Sequence, residues 1–105
     1  MTSFRHYEIL LPTRYNDGTP VEPEIIEASI EEVALRFGGV TFQPENLQGV
    51  WIREGQRFED TNVRLTIDVE DTPGNTSFFA DLKIALKARF DQLDIWIVSY
   101  EIRIT

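Results

Sequence analysis

Apolar and polar positions alternate most cleanly between residues 63 and 70. There Val63, Leu65, Ile67 and Val69 interleave with Arg64, Thr66, Asp68 and Glu70, the pattern of a strand with one buried and one wet face. The last segment, DIWIVSYEIRIT, repeats the two-residue period through Trp96, Val98, Tyr100, Ile102 and Ile104. Near the start, HYEILLP (residues 6–12) is mostly apolar and β-capable and stops at Pro12. The TRYNDGTP that follows has turn chemistry.

Two stretches carry the helical period instead. Ile26, Ile30, Val33 and Phe37 recur at steps of four, three and four, with Glu24, Glu27, Glu31 and Glu32 mainly on the other side. Thr19 and Glu22 are spaced as a capping box, which would put Pro20 at the first helical position. Pro23 competes with that start, because the residue before a proline avoids the α region. The regular helix is therefore expected from about Pro23 to Phe37. A second stripe runs through Phe79, Leu82, Leu86 and Phe90, with Lys83, Lys87 and Arg89 outward and Asn75, Thr76 or Ser77 as candidate caps after an EDTPGN turn.

Between the first helix and the alternating strand lies FGGVTFQPENLQGVWIREG, rich in glycine. A nucleotide-cradling loop needs glycines after a strand and before a helix. Here the helix comes first, so Gly38 reads as its left-handed terminus and Gly39 as the joint to a strand VTFQ. A second extended piece, VWIRE, follows PENLQ, either as one broken strand or as two, and GQRFEDT reads as a connection to the next strand. The order strand, helix, strand, strand, helix, strand predicts an α+β, ferredoxin-like split βαβ fold: one domain over residues 1–105, a four-stranded antiparallel sheet with both helices on one face. The other sheet face is expected to carry His6, Glu8, Arg64, Thr66, Asp68, Ser99, Glu101 and Arg103.

Composition narrows the function. At 105 residues, 42% apolar, the chain is long enough for one core. It has no cysteine, which excludes disulfides, thiol catalysis and thiolate metal sites. Its formal charge of −8 opposes binding to nucleic acid or anionic membrane. The RNA-stacking use of such a sheet also lacks an aromatic on NVRLTIDVED. No signal-peptide pattern or membrane span is visible, and a cytoplasmic location is expected.

The segments Phe37-Gly38-Gly39-Val40-Thr41, Gly49-x-Trp51, Glu59-Asp60 and Phe90-Asp91-Gln92-x-Asp94-Ile95 together resemble a group of small bacterial hypothetical proteins. They share a helix ending Phe-Gly-Gly-x-Thr, then Gly-x-Trp, an acidic pair before a strand, and a late Phe-x-Gln. The resemblance covers most of the chain from about residue 24. It implies the ferredoxin-like fold and carries over no catalytic residue.

Candidate chemistry is sparse. His6, the one histidine, is expected as a half-exposed strand residue; the alternative is a general base held by Glu8. With no second histidine or cysteine, no metal site is expected, and Asp68, Glu70 and Asp71 read as a solvated strand end. No serine sits in a nucleophile elbow, and no cofactor is implied. Arg53, Arg57 and Arg64 flank Trp51. The expectation is a core Trp51, with the arginines paired to Glu54, Glu59 and Asp60; a small anionic ligand, clamped by arginine and stacked on the indole, is the alternative. Two functions follow. One is an interaction module, self-associating as a dimer through its sheet face or an edge or meeting a protein partner. The other is a small-molecule binder or enzyme of the dimeric α/β-barrel kind that uses His6 and the Trp51–Arg53 region.

Overall fold

The structure, a computed structural model, describes residues 2–105. Strand β1 (Phe4–Pro12) leads to helix α1 (Pro23–Phe37), then β2 (Thr41–Arg53), β3 (Gln56–Glu70), helix α2 (Pro73–Arg89) and β4 (Ile97–Ile102). The sheet is antiparallel in the order β2-β3-β1-β4, the expected ferredoxin-like fold. No helix among the described residues is long and apolar enough to cross a membrane.

The core forms where one face of the sheet meets the helices. Tyr7, Ile9 and Leu11 of β1, and Val63, Leu65 and Val69 of β3, are buried with Val33 of α1 and Phe79, Leu82, Leu86 and Phe90 around α2. Each large side chain so buried stabilises the fold by about 1.5–3 kcal/mol before entropy is charged. Tyr7 stacks on Phe79, centroids 3.7 Å apart, and Phe37 packs against Phe78 and Phe79. Of the expected α1 stripe only Val33 is fully buried; Ile26, Ile30 and Phe37 are half-buried against the core.

The helix ends follow local chemistry. Pro23 occupies the first turn of α1, and Gly38 closes it at φ 86, its N–H donating to Ala34 O. A capping box does not form: Glu22 is the N-cap and makes no cap bond. Its carboxylate accepts from the Tyr15 hydroxyl, while Thr19 bonds the Asp17 side chain. Helix α2 starts earlier than expected. Thr72 caps it by accepting from Asn75 N–H at 3.1 Å, which leaves Pro73 in the first turn where its missing N–H costs nothing.

Strand β2 is one strand with a bulge. Between Gln43 and Leu47 it advances four residues while β3 advances two, from Arg64 to Asn62. Pro44, unable to donate to a ladder, lies in the irregularity. Apart from Gly55, the segment GQRFEDT is not a connection but the first part of β3, and the chain turns at Glu54 and Gly55, both at positive φ. β1 pairs with β3 only from Asn62 to Glu70, whereas β2 pairs with it from Gln56 to Thr66. The offset leaves a two-stranded arm at one end and an uncovered edge of β3, residues 67–70, at the other. The arm accounts for a long axis of 47 Å and a radius of gyration of 14.6 Å, above the ~13 Å of a compact chain of this length.

Candidate binding surface and cleft

The helix-free face of the sheet is defined by register. His6 stands opposite Asp68 and Tyr100, Glu8 opposite Thr66 and Val98, and Leu10 opposite Arg64. Phe4 pairs with Ile102 on the same face. The expected placement of Ser99 and Glu101 here is overturned, since Ser99 pairs with Tyr7 and Glu101 with Arg5 on the helix side, while Arg103 lies beyond the end of β4. Arg5 donates to Ser99 Oγ at 3.2 Å and pairs with Asp71 at 3.3 Å. Both faces of the last segment are apolar: Ile95 and Ile97 turn inward, while Trp96 and Tyr100 remain 61% and 51% exposed. The alternation through Trp96, Val98 and Tyr100 therefore faces away from the core.

His6 is more engaged than a half-exposed strand residue. Its Nδ1 lies 2.5 Å from Asp68 Oδ1 and its Nε2 lies 3.2 Å from Glu8 Oε1. Tyr100 closes over the ring at 5.0 Å between centroids, and 18% of the side chain is exposed. A neutral imidazole has one N–H, so satisfying both contacts by donation requires the imidazolium. With one proton on the ring or two, the trio is net negative. Glu8 was legible as a neighbour on its own strand. Asp68, sixty-two positions away, became a partner only through the β1–β3 register.

Beside the trio lies an open cleft of about 430 Å³, lined by His6, Phe37 and Gly38–Thr41 with Thr66, Ile67 and Asp68. Its floor is where β2 leaves the edge of β3. The Phe-Gly-Gly-x-Thr segment is thus one wall of a concavity, although it is not a phosphate loop in chain order. At Gly38 and Gly39 no atom lies within 4 Å of where a side chain would begin, so backbone is open to approach there. Among the described residues no group of three or more His, Asp or Glu is placed to hold a metal ion.

The arginine–tryptophan cluster does not converge. Trp51 is 45% exposed on the arm, stacked on Phe58 at 4.3 Å, rather than packed in the core. No residue from 47 to 61 belongs to the buried core. Arg53 pairs across the tip with Gln56. Arg57 bonds Glu59 at 2.6 Å with both side chains largely exposed, and by alternation it points to the side opposite Trp51. Arg64 stands on the open sheet face, bonded to Gln43 at 3.3 Å. Val50 and Ile52, 56% and 71% exposed, line the other side of the arm.

No protein-family model matches the chain, and no curated protein matches it. Solved structures do. The phage SAM lyase in complex with S-methyl-5'-thioadenosine aligns with a TM-score of 0.67 at 18% identity, over 97% of this chain and 90% of that one. The divalent cation tolerance protein CutA1 from Thermus thermophilus gives 0.66 at 18%, covering 97% and 86%. GlnK of B. subtilis in complex with ATP gives 0.57 at 20%, covering 95% and 82%. At such identities the likeness establishes the fold.

Proposed function

We propose that the protein is a small self-assembling module, a homo-oligomer whose copies cover one another's open sheet face and arm, a dimer being its simplest closed form. The observation that carries this reading is the apolar alternation of Trp96, Val98 and Tyr100 on the face with no helices. A single antiparallel sheet facing water ordinarily presents polar residues there. Contiguous exposed apolar surface marks an interaction site. The arm supports the same reading. A lone two-stranded hairpin is marginal in water, yet this one displays Val50, Ile52 and the Trp51–Phe58 stack.

The test is absolute mass by light scattering over a range of concentration and salt. A mass that is a multiple of 12.2 kDa supports assembly. A monomer at every concentration refutes it.

A second reading is favoured by the cleft beside His6, which we propose binds a small adenosine-bearing ligand. The cleft falls within the usual range of ligand pockets, about 300–1,000 Å³. The uncovered β3 edge offers backbone donors and acceptors to a base, and the Asp68–His6–Glu8 trio suits hydroxyls or positive charge. Two proteins of the same fold are described with adenosine compounds, S-methyl-5'-thioadenosine and ATP. The open side of the cleft would be walled by a neighbouring copy, which makes the two readings compatible. Calorimetric titration with S-methyl-5'-thioadenosine tests it; no heat of binding at millimolar ligand rejects it for this compound.

A further inference from the structure

We infer that Arg64 of one copy meets the His6–Asp68–Glu8 trio of another, and that this pairing sets the register of the sheet contact. The inference rests on the assembly reading above. Arg64 lies on β3 between Leu10 and Gln43 on the open face. Its one side-chain bond is to Gln43, its Nε is shielded from water without a partner, and among the described residues no carboxylate lies within 4.0 Å of it. Glu8, the diagonal neighbour across the β1–β3 pair, is within reach of a long side chain, but its carboxylate is turned to His6.

The guanidinium is therefore a cation with unused donors on a face rich in Leu10, Val98, Trp96 and Tyr100. An apolar partner laid over it would strand a desolvated charge, which is strongly unfavourable. The occupant of this face must bring acceptors, and a second copy has them. Its trio holds two carboxylates against one imidazole, so it is net negative and accepts from a donor.

Geometry permits the exchange. Arg64 and Asp68 are four residues apart on β3, about 13 Å. A two-fold axis lying between two stacked sheets, across the strands above Thr66, exchanges their positions. Each Arg64 then stands over its partner's trio, and both pairs form at once. In a larger ring each copy gives its arginine forward and its carboxylates back. Any sliding of the sheets by one residue pair would separate the charges, so the pairing acts on register more than on affinity.

The experiment compares the oligomer dissociation constants of the wild type, Arg64→Glu, Arg64→Met and the double variant R64E/D68R, with circular dichroism to confirm folding. Arg64→Glu is expected to weaken association at least about tenfold and Arg64→Met less, with the double variant recovering most of the loss because the charges are exchanged. Association unchanged in Arg64→Glu and Arg64→Met overturns the pairing while leaving assembly intact. So does a double variant no better than Arg64→Glu. A wild type that stays monomeric removes the assembly reading itself, and this inference with it.

Discussion

The two helices are tied to each other by one side chain whose removal has a calculable cost. Arg89 of α2 donates Nη1 to Ser29 Oγ at 3.0 Å and Nη2 to Glu32 Oε2 at 2.8 Å. Ser29, 1% exposed, is the buried polar residue among the core side chains, and its own hydroxyl donates to Ile25 O at 2.9 Å. Arg89→Met keeps much of the aliphatic stem but removes both contacts. A hydrogen bond from a charged donor contributes about 1.5–3 kcal/mol. The Glu32 pair, more than a third exposed on the carboxylate side, adds no more than a few tenths after screening. The expected loss is about 2 kcal/mol. Ser29→Ala should cost less, about 1 kcal/mol, because alanine regains roughly 0.5 kcal/mol of helix propensity. The double variant should then lose about 1 kcal/mol less than the two single losses together. Urea unfolding at one fixed protein concentration measures all four corners of the cycle. Losses that add to within about 0.3–0.5 kcal/mol would mean that Arg89 and Ser29 do not interact.

Other outcomes follow from the same geometry. Gly38→Ala places a Cβ on a residue at φ 86 and should cost about 1–2 kcal/mol by urea unfolding; no cost would mean that α1 ends differently. Phe90→Ala, at a site with 0% exposure, should lose about 3–5 kcal/mol or leave the chain unfolded. Trp51→Ala should cost the isolated copy less than the about 3–5 kcal/mol of a buried aromatic, since the ring is 45% exposed and its stack on Phe58 adds only about 0.5–1.5 kcal/mol beyond the area it covers; a loss in the full buried range would place the ring in a core. The Tyr15 hydroxyl bonded to Glu22 holds that carboxyl below its ordinary 4.5. The sign follows: the contribution is present above pH 4.5 and is lost as pH falls through the lowered value of the folded state. Tyr15→Phe should flatten stability over that acid window, and an unaltered pH profile would deny the bond.

How much of this was legible depended on where punctuation and periodicity coincide with burial. Pro23 and Gly38 bracket α1 because one lacks an N–H and the other a Cβ, so its limits could be read directly. The α2 stripe and the β3 alternation were equally plain, since the core faces them. The arm was not. Its exposed residues are under no period, and Trp51 meets Phe58 of the same arm rather than the buried core. The last strand misled for the opposite reason. Apolar residues occupy both of its faces, so period two could not say whether Ile95 and Ile97 or Trp96 and Val98 turn inward. The His6–Asp68 contact needed the strand register, which a single sequence does not contain. Thr72 was passed over as a cap because three later polar residues satisfied the same pattern.

One displacement produces both the arm and the cleft. Had β2 paired with the same stretch of β3 as β1 does, neither would exist; sliding it toward the turn leaves Gln56–Asp60 with β2 alone and residues 67–70 with β1 alone. This makes the arm separable from the fold. No residue from 47 to 61 belongs to the buried core, so joining Gln48 to its partner Thr61 by an Asn-Gly turn closes a two-residue hairpin and should leave a folded chain. The removed arm would reach about 20 Å past the sheet, long enough to lie across a neighbouring copy. The shortened chain is therefore expected to show cooperative unfolding and a mass nearer the monomer by light scattering. Association as strong as in the full chain would show that the arm is not part of the contact and leave the open sheet face alone to account for it. If the shortened chain is monomeric and still binds S-methyl-5'-thioadenosine as the full chain does, the cleft beside His6 is complete within one copy; if binding falls with assembly, its missing wall belongs to the neighbour.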